Sequence, residues 1–456
     1  MSRLPYALLA SLEGLPGYDE QAFTQVHASG HQITSARINP AKTFDVQAHT
    51  FEVDSKIPWT SNGYYLKQRP SFTLDPLLHA GAYYVQEASS MFLEQALRQT
   101  ADLSQPLKVL DLCAAPGGKS TLIQSVISKD SLLVSNEVIK TRANILAENI
   151  TKWGAENVVV TNNDPKDFTK LESYFDIIVI DAPCSGSGLF RRNPDAINEW
   201  SEANVQLCSQ RQQRIIADVL PALKQGGILI YSTCSYSKDE DEVIADWLID
   251  EFNMKSLRLS TDSEWHIVEA LSDKHNAYGY RFYPDKVKGE GFFIACMEKQ
   301  ESEGGEVVFP KKSKLEKLSK NEIAIAEKWI REDAAISILK WKELALALPE
   351  RFVQDIDLLQ QSLYIKQAGV ALGQITAKEL IPEHALAVSN LLSNNIPAVD
   401  ITLDEALQYL RKSDLRLDAG SKGWALLQYK KRNLGWVKLL PNRLNNYYPK
   451  EWRILK

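Results

Sequence analysis

The sequence predicts a multidomain α/β protein centred on a doubly wound, Rossmann-like sheet. Three observations lead there. Between about residues 108 and 298, short apolar runs alternate with segments of helical apolar spacing. The first run leads into a glycine pair that opens a helical segment, the place where such sheets bind nucleosides. The chain has 456 residues, more than one core holds, since a domain takes about 100–200 residues.

Taken in order, KVLDLC reads as a first buried strand and SLLVSNE as the second. VVVTNND is the third, FDIIVIDAP the fourth and GGILIYSTC the fifth, and GFFIACME looks like a later one. TLIQSVIS, TRANILAENITKW and RIIADVLPALKQ carry helical spacing between them. This order predicts parallel strands with ligands at their carboxyl ends. Residues 301–320 are polar and lysine-rich, with a Gly pair and a Pro, and predict a linker. Residues 323–348 read as helical, followed by mixed short segments. GWALLQY and LGWVKLL read as two strands around the basic turn KKRN. The first 75 residues give no assignable pattern.

Composition excludes several classes. No run of eighteen apolar residues occurs, so no membrane span is expected, and ALLASL is too short for a signal peptide. The five cysteines include no Cys-x-x-Cys pair, which argues against a disulfide framework and a structural zinc site. Reduced cysteines without a signal fit the cytoplasm. The net charge of −6 disfavours nucleic acid, yet from Ser421 onward there are nine Lys or Arg and one acid, Glu451. Trp424, Tyr429, Trp436, Tyr447, Tyr448 and Trp452 are interleaved with them. Two interpretations stay open: an RNA-binding surface, or a solvated basic face over an aromatic core.

The glycine pair lies in DLCAAPGGKS, residues 111–120. A P-loop fits Gly118, Lys119 and Ser120 but has Cys113 where its first glycine belongs. The Gly-x-Gly-x-x-Gly dinucleotide fingerprint is absent. A nucleoside-binding turn fits, and a merely structural turn is the bland alternative. Glu137 ends the second strand, where an acid binds a ribose diol in this fold. Asp164 ends the third, in reach of an adenine amino group; a strand-end cap is its alternative. DAPC (181–184) and STC (232–234) each place a cysteine after a buried strand. If those strands are neighbours, Cys184 and Cys234 share one edge beside the ligand. Cys208 and Cys296 lack this setting and read as structural.

DLCAAPGGKS, NEV, DAPCSGSGLFRRNPD and YSTCSYSKDEDE resemble the successive motifs of the Nop/Sun family of RNA cytosine-C5 methyltransferases. SARINP and HAGAYYVQEASSM upstream and RFYPDKVKGEGFFIAC downstream extend the resemblance over about residues 37–296. Asp285 departs from it, standing where many members carry His. The tail resembles the PUA-like RNA module of the branch that modifies small-subunit ribosomal RNA.

The resemblance implies S-adenosylmethionine as cofactor and RNA as partner, either ribosomal RNA or the small ribosomal subunit. It implies Cys234 as nucleophile, Cys184 as the residue that releases product, and Asp181 at the base. Cys113, Ala114, Ala115, Pro116, Gly117, Gly118, Lys119, Glu137, Asp164 and Asp181 are expected around the cofactor. The domains implied are an N-terminal RNA-contacting α+β segment (1–78), a Rossmann-like methyltransferase domain (79–300), the linker (301–320), a helical or mixed segment (321–385) and a PUA-like β-rich module (386–456). A monomer without structural metal, acting on 16S RNA, is expected. The rivals are a transfer-RNA methyltransferase, a DNA methyltransferase using Cys184 as nucleophile, an idle RNA-binding assembly factor and a nicotinamide oxidoreductase.

The chemistry explains the residue types. C5 of cytosine is a poor nucleophile until a thiolate adds to C6, and a cysteine is nucleophilic near neutral pH. Addition places charge on the ring, so N3 needs a donor, a role open to Asp181 in protonated form. Lys119 either lowers local negative charge or solvates the helix start. A base in duplex RNA must flip to reach the thiols.

Overall fold

The computed structural model describes every residue except 1–3, 43, 45–50, 301–306, 311, 418–421, 442 and 456. The central sheet contains the five predicted runs as β1 (Lys108–Asp111), β2 (Leu132–Asn136), β3 (Val158–Thr161), β4 (Phe175–Asp181) and β5 (Leu223–Thr233). They lie parallel in the spatial order β3-β2-β1-β4-β5. Strand order reverses between β1 and β4, which opens a crevice at their carboxyl ends.

Helices cover both faces. α1 (Gly118–Val126) and α2 (Lys140–Trp153) pack Leu122, Ile123, Leu146 and Ile150 against Val109, Leu133 and Val160. α3 (Glu202–Val219) and α4 (Glu242–Phe252) pack Ile215, Ile216 and Leu248 against Leu110, Val134 and Ile178. Alternate side chains of each strand therefore enter different cores, and the strands read as unbroken apolar runs.

The parallel order stops at β5. β6 (Met254–Leu257), β7 (Val268–Leu271), β8 (Tyr278–Phe282) and β9 (Phe292–Lys299) continue the sheet by antiparallel pairing, β9 lying directly on β5. The opposite edge carries an unforeseen strand, β10 (Ile365–Ala368), antiparallel to β3.

The segment expected to be helical or mixed is largely β. Its helices are Lys320–Glu327, a 3-10 turn at Glu350–Phe352, Val353–Ser362 and the start of His384–Val388. Strands Glu316–Lys317, Ile336–Trp341, Leu344–Pro349, Val370–Ile375 and Leu380–Pro382 form an antiparallel sheet. The helical expectation for 323–348 fails because ISILKW and LALALP pair with each other as an antiparallel hairpin, with Lys342 in a left-handed turn (φ 57°) between them. This sheet begins inside the expected linker, whose residues 301–306 and 311 lie outside the described residues. The tail forms the predicted hairpin, Gly423–Tyr429 with Arg432–Leu440, turning through Lys430 and Lys431.

At the other end, strands Thr34–Ile38, Val53–Lys56, Gly63–Leu66 and Tyr83–Val85 form a four-stranded sheet. It continues past residue 78 to the lip of the crevice. Buried Arg37 ties it to α1, donating to the Gly118 carbonyl at 3.2 Å and to Thr121 Oγ1 at 2.6 Å.

Candidate active site

The crevice holds a cavity of about 340 Å³. Cys113 to Pro116, Gly118 and Lys119 form one wall, Asp181 and Cys234 line it from the ends of β4 and β5, and Tyr84 to Glu87 face Glu290 to Phe292. Gly117 has φ 116°, a left-handed geometry that favours glycine, and starts α1. A Cβ on Gly118 would stand 3.3 Å from the Tyr84 ring, so glycine keeps the turn open toward the cavity. That open backbone beside a helix start fits a nucleoside cofactor.

The other predicted residues sit behind this lining. Glu137 is 3% exposed; it accepts from the Ile139 amide at 2.9 Å, and Arg142, which does line the cavity, lies 3.5 Å over it. Asp164 lies three residues beyond the end of β3 and caps a 3-10 turn by accepting from the Lys166 amide at 3.2 Å. Asp111, beneath the glycine turn, accepts from Ser120 Oγ at 2.6 Å, and burial pushes its carboxyl up to about 7.

Lys119 forms an ion pair with Asp181 at 2.7 Å, and Ser232 Oγ donates to the same carboxylate at 3.0 Å. Lys119 thus faces a carboxylate, which supports its charge-compensating role over simple solvation. Cys184 and Cys234 come together with their sulfurs 3.1 Å apart. The hydrogen bond to Cys234 and burial push the Cys184 thiol well above its ordinary range, so Cys184 keeps its proton. Cys208 and Cys296 are buried in α3 and β9.

Residue-by-residue prediction missed the clamp behind the thiols. Glu240 is buried and accepts from the Ser185 amide (2.8 Å), Ser185 Oγ (2.5 Å), Ser235 Oγ (2.6 Å) and Gln212 Nε2 (3.1 Å). It joins the two residues that follow the two cysteines. Burial raises its carboxyl, while these hydrogen bonds oppose the shift. The run DEDE looks like a solvated charge cluster, but Glu240, Asp241 and Glu242 are all buried. The available signal was Arg281, whose guanidinium pairs with Glu242 and lies 3.4 Å from Asp241.

A Rossmann-like sheet with paired thiols at the carboxyl ends of β4 and β5, beside its switch point, defines a methyltransferase of the Sun type. A methyltransferase homolog protein from Pyrococcus horikoshii superposes with TM-score 0.52 at 28% identity, over 65% of this chain and 100% of that one. NSun6 from Pyrococcus horikoshii, solved with SFG, gives TM-score 0.54 at 20% identity, over 66% and 99%. The profile of 16S rRNA methyltransferase RsmB/F matches residues 99–298. The N-terminal domain of 16S rRNA methyltransferase RsmF matches 4–88, and the methyltransferase RsmF PUA domain matches 396–454. Ribosomal RNA small subunit methyltransferase F of Shewanella piezotolerans is 31% identical over 412 residues, 87% of this chain and 84% of that protein. Its counterpart from Escherichia coli O127:H6 is 30% identical over 411 residues, again 87% and 84%. The chain belongs to the RsmB/F family of S-adenosylmethionine-dependent methyltransferases.

Proposed function

We propose that this enzyme methylates C5 of a cytosine in 16S ribosomal RNA through a covalent bond between Cys234 and C6 of the ring. The observation that carries this is the thiol pair, 3.1 Å apart, with Cys234 in the cavity wall and Cys184 behind it. The relatives named for small-subunit ribosomal RNA support the substrate.

The turn from Cys113 to Lys119, with Glu137 and Asp164 after the neighbouring strands, would hold S-adenosylmethionine, which would supply an electrophilic sulfonium methyl. Cys234 adds to C6 of a flipped cytosine, which makes C5 enamine-like and ready to take that methyl. Cys184, which retains its proton, assists cleavage of the C6–S bond as H5 passes to a water molecule and C5=C6 re-forms. Asp181, engaged by Lys119 and Ser232, stands beside the base. A transfer-RNA substrate uses the same chemistry, and bisulfite sequencing of both RNA pools from a deletion strain separates the two. A deletion that removes no 5-methylcytosine from either pool rejects the proposal.

The cysteines are expected to have opposite phenotypes. Cys234→Ala should form neither adduct nor product. Cys184→Ser should attack and methylate but release poorly, leaving protein covalently joined to RNA on a denaturing gel. The adduct should vanish in the double variant. Trapping by Cys234→Ala instead would reverse the roles and restore the DNA-type assignment.

A further inference from the structure

Glu290 lines the same cavity as Cys234, Asp181 and Lys119, from the loop that enters β9. It is 4% exposed, yet no described residue gives its carboxyl a hydrogen bond. Its nearest cation, Arg191 Nη1, is 3.7 Å away and donates instead to the Gly289 carbonyl at 3.1 Å. The Glu290 backbone, in contrast, is fixed: its amide donates to Glu87 Oε1 at 2.9 Å, and its carbonyl accepts from Ser89 Oγ at 2.9 Å. A buried carboxyl without hydrogen bonds costs free energy, so a rigid loop that holds one in a cleft implies a bond made only when substrate is present.

We propose that Glu290 is a catalytic residue that reads the Watson–Crick edge of the target cytosine, donating a proton to N3 and accepting from the 4-amino group. This rests on the cytosine-C5 function proposed above and deepens it. Asp181 already has two partners, so the N3 donor role first open to it passes to Glu290. As the Cys234 thiolate bonds to C6, the C5=C6 electron pair shifts through C4 onto N3. N3 takes the proton from Glu290, which becomes a carboxylate. After C5 is methylated, the N3 proton returns to Glu290. H5 then leaves as a proton to a water molecule, the C5–H pair re-forms the C5=C6 bond, the C6–S pair returns to sulfur, and Glu290 ends as it began.

The surroundings keep that proton available. Burial pushes Glu290 up to about 7; Arg191 and Arg192 oppose the shift, and Glu87 adds to it. Besides Glu87 and Arg192, the charged and titratable groups that line the cavity with Glu290 are Tyr84, Cys113, Lys119, Arg142, Asp181 and Cys234.

The test uses the full chain in single-turnover methylation of small-subunit RNA transcripts. Glu290→Gln should lower the rate at neutral pH by about 100-fold or more, with unchanged affinity for S-adenosylhomocysteine and for RNA. The wild-type rate should fall as pH rises through about 7, when the Glu290 proton is lost, and the variant should lack that falling limb. Wild-type enzyme should also methylate 3-deazacytidine transcripts far more slowly than cytidine ones, a measurement independent of how the variant folds. Equal wild-type rates on both transcripts, or a Gln variant with the wild-type rate and pH profile, overturns this inference alone. Wild-type enzyme that forms no 5-methylcytosine overturns the proposed function as well.

Discussion

Asp111 shows what one buried carboxyl does to an enzyme of this kind. It has no solvent exposure, one oxygen bonded to Ser120 and the other without a partner. Burial lifts it from 3.8 to about 7. The folded state therefore binds this proton more tightly than the unfolded chain does. The contribution of Asp111 to stability should be fully present below about 4, be lost as pH rises to about 7, and stay level above, a change on the order of 4 kcal/mol. Asp111→Asn abolishes this titration, so the difference between the variant and wild-type Tm should shift in the variant's favour from acidic to mildly alkaline pH. Parallel melting curves would place the titration elsewhere. At this scale the legible residues were those with distinctive chemistry at a predictable place. Cys184 and Cys234 stood out because thiols after consecutive parallel strands must meet. Glu290 and Arg37 did not, because whether a charged side chain is buried depends on distant segments such as 84–87 and 118–121.

The element that aligns the thiols is the pair of loops leaving β4 and β5, joined by Glu240. Each loop is short and each follows a rigid strand, so Glu240 fixes only the last ångström of their approach. Displacement of that order costs about 100-fold in rate when reacting atoms must be in near-attack geometry. Glu240→Ala is therefore expected to lower kcat by roughly 10-fold to 100-fold while S-adenosylhomocysteine binding survives, since the cofactor turn lies on β1. Introduced into Cys184→Ser, it should also slow adduct formation on the gel, an effect that general loss of stability would not single out. A folded variant with unchanged kcat would mean that the strands alone align the loops. Elements with an unbroken apolar run and a single period were readable in the sequence. Residues 323–348 were not, because short amphipathic strands such as ISILKW satisfy helical and β spacing about equally, and the outer partner of Leu344–Pro349, Val370–Ile375, lies further along the chain.

At the scale of the whole molecule, the C-terminal modules are built into the catalytic unit. β10 caps the β3 edge, and Leu346, Phe352, Ile356 and Leu359 belong to the same core as Leu110 and Ile178. Lys42 of the N-terminal module donates to the Lys152 carbonyl at the end of α2, at 2.5 Å. Removing everything after residue 319 would strip that core, so RNA binding by the tail is better tested by point changes. The tail aromatics divide between the two interpretations the sequence left open: Tyr429, Trp436 and Tyr448 are core, while Tyr447 is exposed and packs on Trp424. The basic residues do reach the surface. Arg331, Lys42, Lys431 and Arg432 line a polar cavity of about 660 Å³ whose lining has no carboxylate, where the N-terminal module, the intermediate sheet and the tail hairpin meet. Arg432 Nε is buried there without a hydrogen bond. Lys431 pairs with Asp400 and Arg331 lies 3.5 Å from Asp333, but neither carboxylate lines the cavity, and its cationic lining suits a phosphate backbone. The double variant Arg331→Glu with Lys431→Glu, both exposed at that cavity, should weaken RNA binding in a nitrocellulose filter assay. The slope of log affinity against log salt should become shallower by roughly 1.5, because two phosphates are no longer neutralised and each accounts for about 0.7–0.9 of the slope. Methylation should be restored at high RNA concentration, because neither residue touches the thiols. Unchanged affinity and slope would assign this cavity to packing between modules and leave RNA recognition to the catalytic crevice.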